Sequence, residues 1–182
     1  PAMAGATGRW QAKQYTLLHA LGNDLEKVVF FSNYTWLAWI TKYLYLALLW
    51  LNDPHNPTGA VLDPATRATI ADLARRFGFW VAADEAYAEI YFDLAPRSML
   101  ECGLDNVIAF HTLSKRSAMT GYRSGFMAGD HRLIDALRRF RPNVGVATPE
   151  FVQRAAIAAW SDDAHAAQQR ALYAQKRDLV LG

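Results

Sequence analysis

The sequence predicts an α/β fold, a mostly parallel sheet covered by helices, and three observations predict it. Leu44 to Leu51 and Phe79 to Ala83 are apolar runs of strand length. Between them lies one well-signalled helix, so the unit reads strand, helix, strand, with the two strands parallel. Val107 to Phe110 is a further apolar run with the composition of a buried strand. Polar and turn-forming residues follow each run, which sets the reactive side chains at strand ends.

Gly5-Ala6-Thr7-Gly8 opens a segment that reads as a helix through about Leu21, stopped by Gly22-Asn23. A small-residue loop before a helix aims backbone N–H groups and the dipole at an anion. Val28-Val29-Phe30-Phe31 is a strand. Tyr34 to Leu51 carries one charge, Lys42, and six aromatics among eighteen residues. A membrane span is one reading, but the stretch is short for it and Lys42 falls near its middle. A buried strand over its second half, with the first half packed against something such as another subunit, accounts for it better.

Leu44 to Leu51 ends at Asn52-Asp53-Pro54-His55-Asn56-Pro57-Thr58-Gly59, a run crowded with turn formers. Two prolines and a glycine explain a rigid turn without any ligand. His55 has no partner at metal-binding spacing, and no metal is expected. Asp63 caps a helix with Pro64 at its first position; Ile70, Leu73, Ala74 and Phe77 share one face, and Gly78 stops it. Phe79 to Ala83 then reads as a central strand with Asp84, Glu85, Ala86 and Tyr87 at its end. A carboxylate at a strand mouth is a cap or the partner of a cationic ligand, and the residues alone leave both open.

Past Val107 to Phe110 comes His111-Thr-Leu-Ser-Lys-Arg-Ser-Ala-Met-Thr-Gly-Tyr-Arg123. Lys115 sits just beyond a strand end, in a loop, among the hydroxyls of Thr112, Ser114 and Ser117. There it can lose its proton more easily and become a nucleophilic amine able to form a Schiff base. Arg123, past a flexible Gly121, returns a fixed positive charge to the same place. Lysine, hydroxyls and arginine together suit an aldehyde that carries a phosphate, such as pyridoxal phosphate. The bland alternative is a polar loop with two solvated cations. Ser124 to Ala128 continues as a short strand, and Asp130 caps a helix ending near Arg139. Arg138, Arg139 and Arg141 cluster where cations complement that helix's dipole, so they mark no nucleic-acid surface. Thr148-Pro149-Glu150 starts another helix, and Ser161-Asp162-Asp163 an alanine-rich one running towards Leu181.

The motif around Lys115 resembles that of the class I/II aminotransferases, the fold-type I pyridoxal-phosphate enzymes. Thr112 stands three residues before the lysine and Arg123 eight after it, as in that family. The resemblance implies pyridoxal 5'-phosphate in imine linkage to Lys115, its phosphate held by Thr112 and Arg123. Asn-Pro-Thr-Gly after an apolar strand resembles a second family signature, and it implies that Asn56 donates to the pyridine 3-oxygen. Asp84 falls where the family sets a carboxylate opposite the pyridine nitrogen. Tyr87 falls where a tyrosine bonds the ring oxygen. The early turn implies phosphate contacts from Ala6 and Thr7, and Trp36 falls where an aromatic stacks on the ring. Lys115, Asp84 and Tyr87 are the implied catalytic residues.

The implied fold is the family's large domain, three-layered, with helices on both faces of a mostly parallel sheet. The expectation is one cofactor-binding domain over 1–182, weakly matching and shortened over 1–45, without the C-terminal small domain whose arginine grips the substrate carboxylate. At subfamily level, Asn-Asp-Pro-His-Asn-Pro-Thr-Gly-Ala, Ser-Lys-Arg-Ser-Ala-Met-Thr-Gly-Tyr-Arg and Ala-Ala-Trp-Ser-Asp-Asp-Ala-His look like succinyldiaminopimelate transaminases of lysine biosynthesis. The implied activity is transfer of an amino group between an amino acid and a 2-oxo acid, by a homodimer. Two alternatives stand beside it: a truncated, catalytically silent cofactor-binding or assembly module, and a pyridoxal-phosphate lyase on the same fold.

Composition agrees with one sizeable core: 182 residues, 52% hydrophobic and 20% charged. A net charge of +2 leaves no footprint for nucleic acid. A single cysteine, Cys102, suits a reducing compartment, and with no signal-peptide pattern at the N-terminus a cytoplasmic location is expected.

Overall fold

The computed structural model describes residues 28–29, 48–145 and 147–182. Five strands form one sheet in sequence order: β1 (Val28–Val29), β2 (Leu48–Asn52), β3 (Trp80–Asp84), β4 (Val107–Thr112) and β5 (Gly125–Gly129). The three central strands are mutually parallel, and β1 and β5 flank them antiparallel. The expected mostly parallel α/β sheet is therefore the architecture found. The strands run later than their apolar runs suggest, to Asn52, Asp84 and Thr112, so the first polar residues still belong to the sheet.

The parallel β2–β3 pair is joined by α1 (Pro64–Phe77). Asp63 accepts from Thr66 N at its start, and Gly78 ends it in the left-handed conformation at φ 71. Ile70, Ala71, Leu73 and Ala74 of α1 pack on Leu49, Leu51, Val81, Ala83, Val107 and Ala109. Those strand residues alternate along each strand, so one face of the pleat makes the core. Leu62, Phe79 and Met99 complete the cluster. On the other face Trp50 stacks on Phe110 at 5.3 Å, and Arg132 lies over the Trp80 ring at 5.2 Å.

At the β5 edge the backbones come so close that a Cβ at Gly129, φ +150, would meet Val107 O at 2.1 Å. Only glycine fits there. Four more helices follow β4: α2 (Leu113–Arg116), α3 (His131–Phe140), α4 (Glu150–Trp160) and α5 (Ala164–Leu181). Asp130 caps α3, accepting from Arg132 N, and Arg138 and Arg139 occupy its last turn as expected. The loop expected to carry Lys115 is in fact the helical turn α2, because Thr112 caps it by accepting from Ser114 N. Among the described residues, no helix is long and apolar enough to cross a membrane. The early helix, the anion loop with Ala6 and Thr7, and Trp36 lie outside the described residues.

Candidate active site

The parallel strands β2, β3 and β4 end together, and pleat alternation puts Asn52, Asp84 and Thr112 on the face opposite α1. Asn52 pairs in register with Asp84. Its Nδ2 donates to Asp84 O at 3.3 Å, and its Oδ1 accepts from Asn56 N at 2.7 Å. One amide side chain thus ties the Asn56 loop to the β3 end. Asp53, buried next to it, anchors the same loop: Oδ1 accepts from Leu62 N at 3.0 Å and Oδ2 from Arg67 Nε at 3.0 Å.

Asn56, held so, donates from Nδ2 to Tyr87 Oη at 3.2 Å. Tyr87 lies in the turn after β3, which is closed by Ala88 N and Ile90 N donating to Glu85 O and Tyr87 O. Lys115 Nζ stands 5.2 Å from the centre of the Tyr87 ring. Asn56, Tyr87 and Lys115, from three separate strand ends, therefore meet. Asp84 is half-buried, and its Oδ1 accepts from Ala86 N at 3.2 Å. Among the described residues no donor meets its Oδ2, and Lys115 makes no hydrogen bond or ion pair.

Two of the three hydroxyls expected to flank Lys115, those of Thr112 and Ser117, are engaged elsewhere. Thr112 Oγ1 accepts from Ser114 N at 3.1 Å and donates to Ser124 O at 3.3 Å. Ser117 Oγ pairs with His165 Nε2 at 2.8 Å. The lysine's neighbour is instead the face of an aromatic ring, which attracts a cation through its quadrupole. Arg123 is exposed with φ 50, and its Nη1 donates to Thr120 O at 3.2 Å. Thr120 Oγ1 donates to Ser114 O at 3.2 Å, so Arg123 is tied to the Lys115 turn at one remove. An open cleft of about 500 Å³ borders this group and is lined by Asn56, Tyr87, Tyr91 and Phe92. A larger one of about 660 Å³ lies between β5 and α4, against Phe126, Arg141 and Trp160. Among the described residues no cluster of His, Cys, Asp and Glu could hold a metal.

Three residues at this edge carry little sequence signal. Asn52 reads as one turn former among many. Glu85, 3% exposed, accepts from Ser98 Oγ at 3.0 Å and Met99 N at 2.8 Å on Oε1, while His111 Nε2 lies 3.2 Å from Oε2, off the line of a hydrogen bond. His111 also stacks on Phe126 at 4.9 Å. Arg116, beside the lysine, is buried. A charged residue inside an otherwise small and hydroxylic motif is the one hint of it.

The family described as aminotransferase class I and II matches residues 32–181. The 4-dedimethylamino-4-oxo-anhydrotetracycline transaminase OxyQ of Streptomyces rimosus is 43% identical over 138 residues, covering 73% of this chain and 38% of that protein. An LL-diaminopimelate aminotransferase of Dehalococcoides mccartyi is 42% identical over 138 residues, covering 74% of this chain and 36% of the relative. The crystal structure of an aminotransferase from Neisseria meningitidis superposes with a TM-score of 0.69 at 40% identity, over 72% of this chain and 35% of that one. The chain thus spans a little over a third of the length of these relatives.

Proposed function

This chain belongs to the class I and II aminotransferases, and from that membership we propose that its strand-end cluster is the cofactor half of a transaminase site, moving an amino group between an amino acid and a 2-oxo acid. The observation that carries the proposal is the meeting of Asn56, Tyr87 and Lys115 from three strand ends. The family's cofactor, pyridoxal 5'-phosphate, supplies an aldehyde for the amine and a pyridine ring that spreads the charge left when the alpha proton departs. The residues present fit that group: an amine with no ion pair among the described residues, a carboxylate oxygen with no described donor, and a phenol already bonded on one side.

Lys115 is the nucleophilic amine and then the base that moves the alpha proton at Nζ. No ion pair within the described residues restrains it, so it can swing between those tasks. Asp84 would stand opposite the pyridine nitrogen, as the family resemblance implies, and hold a proton there. Its Oδ1 bond to Ala86 N fixes the carboxylate while Oδ2 remains to accept. Tyr87 receives the Asn56 amide on its oxygen, which leaves the phenol proton to donate to the ring oxygen. Asn56 has a second amide hydrogen for the same oxygen. By the family resemblance Thr112 and Arg123 would hold the phosphate, and Ala6, Thr7 and Trp36, outside the described residues, are proposed as further contacts.

The proposal takes residues 1–182 as one cofactor-binding domain of a cytoplasmic homodimer. Its substrate is proposed to be of the diaminopimelate kind, after the succinyldiaminopimelate-type motifs; the LL-diaminopimelate relative supports this and the OxyQ relative points to another amine acceptor. Borohydride reduction in the presence of pyridoxal phosphate, followed by peptide mass mapping, tests the site: cofactor mass chiefly on Lys115 supports it, and mass chiefly on another lysine, or on none, refutes it. Keto acid formation from a panel of amino acids, diaminopimelate derivatives included, tests the substrate.

A further inference from the structure

A four-residue helix cannot hold itself, because its first turn costs more chain entropy than its single bond returns. The attitude of Lys115 is therefore set by whatever grips α2 from outside. Leu113 and Arg116 are its two buried side chains. Leu113 contributes apolar burial, which has no direction. Arg116 is directional, and both of its terminal nitrogens are hydrogen-bonded. Nη1 donates to Ala159 O at 2.7 Å and to Asp162 O at 3.4 Å, and Nη2 donates to the Asp163 carboxylate. Those oxygens belong to the C-terminal end of α4 and the turn into α5, where a cation complements the helix dipole. The guanidinium also lies over the Trp160 ring at 5.1 Å.

The remaining edge faces the other half of the site. Arg116 Nε lies 3.8 Å from Glu89 Oε1, and Glu89 Oε2 accepts from Arg170 Nη1 of α5 at 3.0 Å. Glu89 stands two residues past Tyr87. The neighbour of the lysine and a close neighbour of the tyrosine thus share one charge cluster.

We propose that Arg116 is a positioning residue for Lys115, with Glu89 as its partner. The pair locks the turn carrying the lysine against the turn carrying Tyr87, and so sets Nζ over the phenol ring in the attitude from which it reacts. A guanidinium cannot shed its charge on burial. Rotating α2 therefore breaks several oriented contacts together. The inference rests on the reading of Lys115 as the cofactor lysine.

The test follows the rate at which pyridoxal phosphate is trapped by borohydride on Lys115 and on Lys176, an exposed lysine of α5 that serves as reference within the same molecule. Arg116→Met, Arg116→Lys and Glu89→Gln are compared with the unaltered chain, each with its melting curve. Glu89 is 41% exposed, so its substitution leaves the core intact. The expected result is a fall of about tenfold in the Lys115-to-Lys176 trapping ratio for Arg116→Met, in line with the cost of a misplaced reactive group. Arg116→Lys, lacking the planar fork, falls with it. Glu89→Gln shows a smaller fall in the ratio with its melting point unchanged. An unchanged ratio in Glu89→Gln overturns the inference even where Arg116→Met does not fold. A loss shared equally by both lysines overturns it too, as general loosening. No label on Lys115 in the unaltered chain refutes the site itself, a distinct outcome.

Discussion

Asn56 and Tyr87 stand 31 residues apart in sequence, yet the amide of one donates to the phenol oxygen of the other across 3.2 Å. The bond joins the loop after β2 to the turn after β3 and leaves the tyrosine proton free to donate outwards. Tyr87→Phe removes both the internal acceptor and that outward donor. Tyr87 is half-buried and outside the core cluster, so folding should be unaffected. Pyridoxal phosphate should bind roughly tenfold more weakly, the scale of one net hydrogen bond. Absorbance titration with cofactor checks it, and unaltered affinity would refute the assigned role.

Lys115→Ala should abolish borohydride-stable labelling at residue 115 while leaving the melting curve close to that of the unaltered chain. Among the described residues the lysine makes only a ring contact, so its loss removes little stability. Label persisting at the same yield elsewhere in the chain would mean that another amine is the one that reacts.

Asp84→Ala should retain cofactor on Lys115 but slow exchange of the substrate alpha proton, by on the order of 10²–10⁴-fold, the range of a lost acid–base group. Deuterium exchange at the alpha carbon reads the step directly. The idea is sunk if binding collapses while exchange per bound cofactor stays normal.

These residues were legible because each stands at the mouth of an apolar run with turn chemistry around it, and because spacing along the chain orders them. Strand, helix, strand over 48–84 was legible for a similar reason: Asp63, Pro64 and Gly78 punctuate α1, and period-2 burial marks the strands. Asn52, the Glu85–His111 pair and Arg116 were not. Glu85 meets His111 only through the β3–β4 register, and Arg116 meets Ala159 only after two helices have folded back. Nothing local encodes those meetings. Lys115 in a helical turn was missed because Thr112 reads equally as a phosphate ligand and as a cap, and here it caps.

Arg67 is the next position to test, since a polar residue on the buried face of α1 contradicts its apolar stripe. Arg67 is 2% exposed and its guanidinium lies against Asp53, with Nη2 2.8 Å from Oδ2. Arg67→Leu strands a buried carboxylate and should cost about 3–5 kcal/mol. Urea unfolding measures the loss. A cost within about 0.5 kcal/mol, as at a neutral surface site, would refute the anchoring role.

Asp130 gives a pH signature. The Arg132 guanidinium holds its carboxyl far below the usual carboxylate range, outweighing the opposing push of burial, and Asn106 N adds a further bond at 2.8 Å. A folded pKa lower than the unfolded one, about 3.9, means stability that is present above pH ~4 and lost as pH falls towards the depressed value. Asp130→Asn should therefore be less stable than the unaltered chain at pH 7 and at pH 5. The gap should narrow steadily below about pH 4. Urea melts at pH 7, 5 and 3 decide it, and a gap that does not shrink in acid would refute this origin.

The alternation along β2, β3 and β4 also bears on how such a chain can change over evolutionary time. Core residues and site residues are interleaved one by one, Ala83 inward and Asp84 outward, Leu51 inward and Asn52 outward. Substitution can alter either set alone. Gain or loss of a single codon within 80–84 cannot, because it turns the carboxylate towards Ile70 and an alanine towards the site in one event. Point replacement is thus an open route of divergence for these strands, while length variation is confined to connections such as 91–98, which carry no strand register.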